Sequence, residues 1–213
     1  MKSSLETKCL SEIVGALNEV IAENKAFLSE IDGAIGDGDH GINMAKGFKL
    51  ASEAIETSGG STQENLKILS NTLMMKIGGS MGPLYGMFFK AISESIGDKS
   101  ELALNDVVIF LCAAKDAIGK ISPAKPGDKT LIDCLAPAVE SLQQSEASGM
   151  DLAAALQAMK TAAAAGRDST KEMIAKLGRS SRLGERSRGV LDAGSCSCYL
   201  ILETFADQMA AHL

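Results

Sequence analysis

Apolar side chains recur along this chain at intervals of three and four almost from end to end, and that spacing limits the fold more than any other feature. Leu10, Ile13, Val14, Leu17, Val20, Ile21, Leu28 and Ile31 share one helical face, with a two-turn gap between Ile21 and Leu28. Ser3 and Glu6 stand ahead of them at capping-box spacing. A second helix is expected from near Gly41, with Met44, Phe48, Ala51 and Ile55 on one face. Ser61 and Glu64 form another capping box before a third helix, striped by Leu66, Leu69, Leu73 and Ile77. Pro83 stands where a first helical residue would, opening a fourth helix through Ile96. A fifth runs from Leu104 to Ile118. Its Val107-Val108-Ile109-Phe110 run has strand character but no partner strand, so it is read as helix.

A sixth helix, Thr130 to Leu142, carries Pro137, which should kink it or lie near its start. An Ala-rich seventh runs from Asp151 to Leu177, and an eighth from Ser195 to Ala211. No sheet, internal repeat or long linker is expected. The expected fold is therefore all-α, an eight-helix antiparallel barrel or bundle forming one domain over residues 1–213. With aromatics at 4% and no Trp, Ala, Leu, Ile and Met must fill the core, which suits close-packed helices.

The net charge of −6 argues against a nucleic-acid or anionic-membrane surface, since both need clustered Lys and Arg. Cys9, Cys112, Cys134, Cys196 and Cys198 are odd in number and scattered, and Cys196-x-Cys198 lacks the second pair of a zinc site. They are read as buried free thiols. The first residues contain no apolar signal core, and no run approaches the ~20 apolar residues of a membrane span. The expected location is the cytoplasm.

Glycines cluster at 33–41, 78–86, 127 and 184–194, at the helix junctions, where chemistry usually sits. In Ile31-Asp32-Gly33-Ala34-Ile35-Gly36-Asp37-Gly38-Asp39-His40-Gly41, three carboxylates fall within eight positions. Such crowding is costly at neutral pH unless cations neutralise it. An EF-hand fails here. From Asp37 it would need Gly and Glu where Ile42 and Phe48 stand, and from Asp32 it puts Ala34 and Gly36 at ligand positions. Mg²⁺, which takes a few carboxylates plus phosphate oxygens and waters, suits the smaller set. A solvated acidic turn is the competing reading.

Gly78-Gly79-Ser80-Met81-Gly82-Pro83-Leu84-Tyr85-Gly86 runs into a helix start, where free N–H groups and the helix dipole favour an anion; close helix packing explains it about as well. In Lys125-Pro126-Gly127-Asp128-Lys129-Thr130, Asp128 or Thr130 is a candidate cap for the sixth helix. Four arginines between Arg179 and Arg188 suit phosphate or carboxylate recognition, or else a solvated linker. Asp192-Ala193-Gly194-Ser195 caps the last helix. His40, beside the aspartates, is a candidate donor to phosphate.

Together, in this order, the run Ile35 to Met44, the Gly78 loop, Pro126 to Thr130 and Gly178-Arg179 to Ser187 resemble the nucleotide-binding L subunit of dihydroxyacetone kinases, over essentially the whole chain. The resemblance agrees with the expected all-α barrel. It implies that Asp32, Asp37 and Asp39 hold two Mg²⁺ ions bridging to the phosphates of ADP or ATP. It places His40, Asn43, Ser80 and Met81 at the phosphates, Ser122 and Leu131 near the adenine, and Arg179 with Asp192, Ala193 and Gly194 completing the site. It assigns no catalytic side chain to this chain.

It further implies one subunit of a split kinase, expected as a homodimer. A partner K subunit holds the ketone, and a phosphohistidine-carrying donor subunit recharges retained ADP. Alternatives by resemblance are an ATP-dependent kinase for another short ketose such as erythrulose, or a nucleotide-loaded regulator of a transcription factor. Three positions depart from the family's habit. Met81 replaces a small hydroxyl residue, Ala193 a proline, and Ser122 stands near a frequent glycine.

Overall fold

The computed structural model describes residues 4–213. Nine α-helices follow in order: α1 (Cys9–Glu23), α2 (Lys25–Ile35), α3 (His40–Ser58), α4 (Thr62–Lys76), α5 (Met81–Ile96), α6 (Leu104–Ile121), α7 (Ile132–Ala147), α8 (Leu152–Ser169) and α9 (Ala193–Ala211). Each helix from α3 onward packs on the next, and α9 packs back on α1, which lies on α3, closing a ring. Short links between most consecutive neighbours, with a longer one between α8 and α9, make this an antiparallel all-α barrel, in line with the helical periodicity. Phenylalanines from four helices fill its middle. Phe89 of α5 meets Phe48 of α3 at 6.0 Å and Phe205 of α9 at 6.4 Å, and Phe110 of α6 meets Phe205 at 6.4 Å.

Several expectations need correcting. The first expected helix is two, broken at Asn24 within the two-turn gap of the apolar stripe. Asn24 leaves helical geometry (φ −92°, ψ 5°), and its side-chain amide donates to Val20 O at 2.8 Å. The Ser3 half of the proposed capping box lies outside the described residues, and Glu6 sits in a strand. The expected absence of sheet is overturned by a small one. β1 (Ser4–Glu6) pairs antiparallel with β2 (Glu101–Ala103), joined at Leu5 opposite Leu102, both buried. Three-residue strands carry too few side chains to show a period, so sequence patterning missed them.

Pro83 is the third residue of α5 rather than its first. The first four N–H groups of a helix have no partner within it, so the ring is tolerated there. Pro137 lies in the second turn of α7 and leaves the Asp133 carbonyl without its helical donor. Gly166 of α8 packs against that carbonyl so closely that a Cβ would stand 2.1 Å from it.

The seventh expected helix stops at Ser169 rather than Leu177. The hydroxyls of Ser169 and Thr170 turn back to accept no further helix, donating to Gly166 O and Arg167 O at 2.6 Å. Short 3-10 turns follow at Thr170–Glu172 and Arg179–Ser187. The Ser61–Glu64 capping box is present, as expected. All five cysteines are free thiols; Cys112 is partly exposed and the other four are buried. No helix among the described residues is long and apolar enough to cross a membrane.

Candidate functional site

In an up-and-down ring, alternate links emerge at the same end. Those after α2, α4, α6 and α8 therefore share one end, and these are the Gly-rich and charged links picked out in the sequence. They enclose a cavity of about 400 Å³. Every residue expected at the site lines it.

The aspartate loop supplies one wall. Asp32 projects from the last turns of α2, while Asp37 and Asp39 stand in the link before α3. Gly36 makes room for the first: a Cβ there would lie 2.6 Å from Asp32 Oδ1. Gly38 turns the chain with φ +77°, a conformation that disfavours any side chain. The result brings one carboxylate oxygen from each of Asp32, Asp37 and Asp39 within 4.8 Å of one another. Hard oxygen donors at this spacing fit a divalent cation such as Mg²⁺. The Arg179 guanidinium pairs with Asp37 and lies 3.9 Å from Asp39, so it offsets part of the cluster's negative charge.

Helix starts form the floor. α3 and α5 open into the cavity at His40 and Met81, and neither has a side-chain cap from its preceding residue, Asp39 or Ser80. By contrast α4 and α9 are capped by Ser61 and Asp192. The positive ends of both helix dipoles, and the uncapped N–H groups at the start of α5, are suited to phosphate oxygens. Asn43 lies one turn into α3 on the same wall. The His40 N–H donates to Asp32 Oδ2 at 3.2 Å. Its imidazole is buried, and burial, opposed in part by Asp32, brings its pKa down to about 4. The ring is therefore neutral at pH 7. Its Nε2 meets Ser197 Oγ at 2.9 Å, and Tyr85 OH meets the same oxygen at 2.7 Å. Ser197 and Tyr85 were missed in the sequence. They lie behind the cavity wall, and small-residue runs at a helix start carry no signal for such support.

The remaining wall is largely apolar, made by Met81, Leu84, Ile118, Pro123, Leu131 and Leu177. Ser122 ends α6 there, its hydroxyl accepting from Ala124 N at 3.2 Å. Of the two candidate caps of α7 only Thr130 meets the helix start, its Oγ1 accepting from Ile132 N at 3.2 Å, whereas Asp128 turns back to accept from Lys125 N at 2.8 Å. Asp133, unremarked in the sequence, braces the loop by accepting from Thr130 N at 2.7 Å and from Gly127 N. Lys129 was also missed as a functional residue. Its side chain is fully buried and its φ is +62°, which costs about 1–3 kcal/mol for a residue other than glycine.

Asp192 caps α9, accepting from Ser195 N at 2.6 Å, and Ala193 and Gly194 continue the wall. Protein surrounds the Asp192 carboxyl on most sides, and this burial raises its pKa to about 7. Of the four arginines only Arg179 reaches the cavity; Arg182, Arg186 and Arg188 are exposed. The solvated-linker reading thus holds for Arg182 and Arg186, whereas Arg188 donates to Glu172 O.

The geometry joins an acidic cluster, two open helix starts and an apolar slot in one cavity. Comparison with known proteins agrees. Residues 34–207 match the DAK2 domain family. The chain is 40% identical over 200 residues to the ADP-binding subunit of the PTS-dependent dihydroxyacetone kinase of Lactococcus lactis, covering 93% of this chain and 96% of that one. It is 34% identical over 192 residues to the ADP-binding subunit of the PEP-dependent dihydroxyacetone kinase of Escherichia coli, covering 88% and 90%. The fold is that of part of the dihydroxyacetone kinase of C. freundii, with a TM-score of 0.71 at 23% identity, over 93% of this chain and 34% of the other. A family match over most of the chain, on the same ring of helices, makes this protein a member of the DAK2-domain family.

Proposed function

We propose that this chain is the nucleotide-holding subunit of a split dihydroxyacetone kinase, a single nucleotide-binding unit over residues 1–213. The observation that carries the reading is the single cavity where Asp32, Asp37 and Asp39 converge beside the open starts of α3 and α5. Near full-length similarity to ADP-binding subunits supports the subunit assignment.

In this reading the three aspartates would hold two Mg²⁺ ions, and the open start of α5 at Met81, with Ser80 and the side chains of His40 and Asn43, would take the phosphate oxygens. Magnesium, when bound, neutralises phosphate charge. Bound ADP would supply the acceptor, and in turn the donor, for a phosphoryl group passing from a phosphohistidine-bearing donor subunit to a hydroxyl of the ketone held on a K subunit. The chain's own part is positioning and charge compensation, which supply much of phosphoryl-transfer catalysis. Neutral His40, backed by Ser197 and Tyr85, offers a hydrogen bond without adding charge. The slot between Ile118 and Leu131 takes the adenine, beside Ser122. Arg179 and the Asp192-Ala193-Gly194 turn close the site. Met81 keeps its backbone N–H available although its side chain offers no hydrogen bond.

The subunit works in the cytoplasm as a homodimer with those two partners. The test is reconstitution with a K subunit, comparing ATP with the phosphohistidine relay as donor, alongside mass spectrometry of the denatured protein for carried ADP. Absence of nucleotide, together with no ATP binding by calorimetry, would sink the proposal.

A further inference from the structure

Between α8 and α9 the chain makes an excursion, residues 170–192, that carries Arg179 to the aspartate cluster. Its outgoing and returning limbs meet at a neck. Gly189 N donates to Lys171 O at 2.7 Å, Arg188 Nη1 to Glu172 O at 2.6 Å, and Ala175 N to Ser187 Oγ at 2.9 Å. Lys129 is inserted through this neck from the opposite loop. Its Nζ donates to Thr170 O at 2.8 Å and Met173 O at 3.3 Å on the outgoing limb, and to Ser187 O at 2.7 Å and Val190 O at 2.6 Å on the returning limb.

Every one of these partners is a backbone carbonyl. Three N–H groups on a buried ammonium thus face four dipoles drawn from both limbs. A buried cation is costly unless its donors are satisfied, so the cage forms only when both limbs are in place. The left-handed backbone at Lys129 is a second sign that the side chain is being directed somewhere particular. The next two residues, Thr130 and Leu131, line the cavity. A further tie joins the same two loops: Lys176 N donates to Asp128 O at 3.1 Å, and Lys176 Nζ lies 3.2 Å from Asp128 Oδ1.

We propose that Lys129 is a positioning residue, the clasp that shuts the neck of the 170–192 excursion and so sets Arg179 over the aspartate cluster. It couples the apolar wall at Leu131 to the charged wall at Arg179. The structural half stands on the neck geometry alone; the consequence for nucleotide rests on the function proposed above.

The test compares full-length wild type, Lys129→Met and Ser187→Ala, the last loosening the neck without touching the buried charge. Trypsin cleavage after Arg179, Arg182 and Arg186, measured without nucleotide, reports opening of the excursion and is expected to speed up about tenfold or more in both variants. Release of ADP is expected to quicken by at least about tenfold, the scale of a small misplacement at a site. In the reconstituted kinase, Lys129→Met is expected to lower kcat in the wild-type background and to have no further effect in an Arg179→Ala background. Unchanged cleavage in both variants overturns the clasp. Equal losses of kcat in both backgrounds show that Lys129 acts on general stability rather than through Arg179, and overturn the positioning role. If Lys129→Met does not fold, Ser187→Ala decides by the same readouts. If the wild type holds no nucleotide, the nucleotide reading fails while the cleavage result still decides the clasp.

Discussion

Gly41→Ala tests the link between helix packing and the site directly. Gly41 is the second residue of α3, buried where α3 crosses the start of α2. A Cβ there would stand 2.1 Å from Lys25 O, 2.7 Å from Ser29 Oγ and 2.9 Å from Ser29 N. The nearest of these is backbone, so a rotamer change cannot relieve it. To bring that contact out to 3.4 Å the two helices must part locally by about 1.3 Å. Overpacking of this kind costs about 1–3 kcal/mol. Removing a helical glycine returns at most about 1 kcal/mol, and less in a first turn. The net loss is about 1–2 kcal/mol, which for a chain of this size lowers Tm by about 2–8 °C.

The two helices flank the link that carries Asp37 and Asp39, so the same movement spreads the carboxylate cluster. A displacement near 1 Å is enough to cost about 10²-fold in a positioned site. Thermal unfolding and Mg-ADP titration by calorimetry check both numbers. Gly15→Ala is the control: it lies within α1 with nothing near its missing Cβ, and is expected to gain up to about 1 kcal/mol. A Gly41→Ala protein with wild-type Tm refutes the clash. One with a lowered Tm but undiminished Mg-ADP affinity refutes the connection from packing to the aspartates.

Other outcomes follow from the same geometry. Asp32→Ala, Asp37→Ala and Asp39→Ala each remove one of three converging carboxylates, and each is expected to release bound ADP on gel filtration; retention at the wild-type level in all three refutes the assignment. Asp192 has a folded pKa raised to about 7, so it stabilises the fold at low pH, fully below its unfolded value of about 4, and that contribution is lost as pH rises through 7. Asp192→Asn keeps an acceptor for Ser195 N but does not titrate, so its stability relative to wild type should rise between about pH 4 and 7; urea midpoints that track wild type across that range contradict the raised pKa. Gly166→Ala drives a Cβ to 2.1 Å from Asp133 O, the residue that braces the 127–130 loop, and should cost about 2–3 kcal/mol in chemical denaturation; a neutral result means α8 can retreat without loss.

Much of the ring was legible in advance because a helix writes its buried face into the sequence every three or four residues. The stripes from Leu66 to Leu73 and from Met44 to Ile55, and the Ser61–Glu64 cap, lie where the spacing put them, while Ile77 follows just past the end of α4 in extended geometry. What escaped was short or irregular. β1 and β2 hold three residues each, Asn24 breaks a helix with one side chain, and the end of α8 is decided by hydroxyls that turn back on their own backbone.

The candidate site divides in the same way. Asp32, Asp37, Asp39, His40 and Arg179 announce themselves by residue type and crowding, and the cavity gathers all five. Lys129, Ser197 and Tyr85 look ordinary in sequence, because their roles come from partners 41 to 157 positions away. The sequence by itself determined that this chain is helical, and it singled out the glycine-rich and charged links and the three crowded carboxylates between Asp32 and Asp39. Only the tertiary structure decided which links share an end, that Arg179 alone of four arginines turns inward, and that a buried lysine ties the excursion down. Periodicity is a local property, recorded residue by residue, whereas convergence depends on how the ring closes, which no single segment encodes.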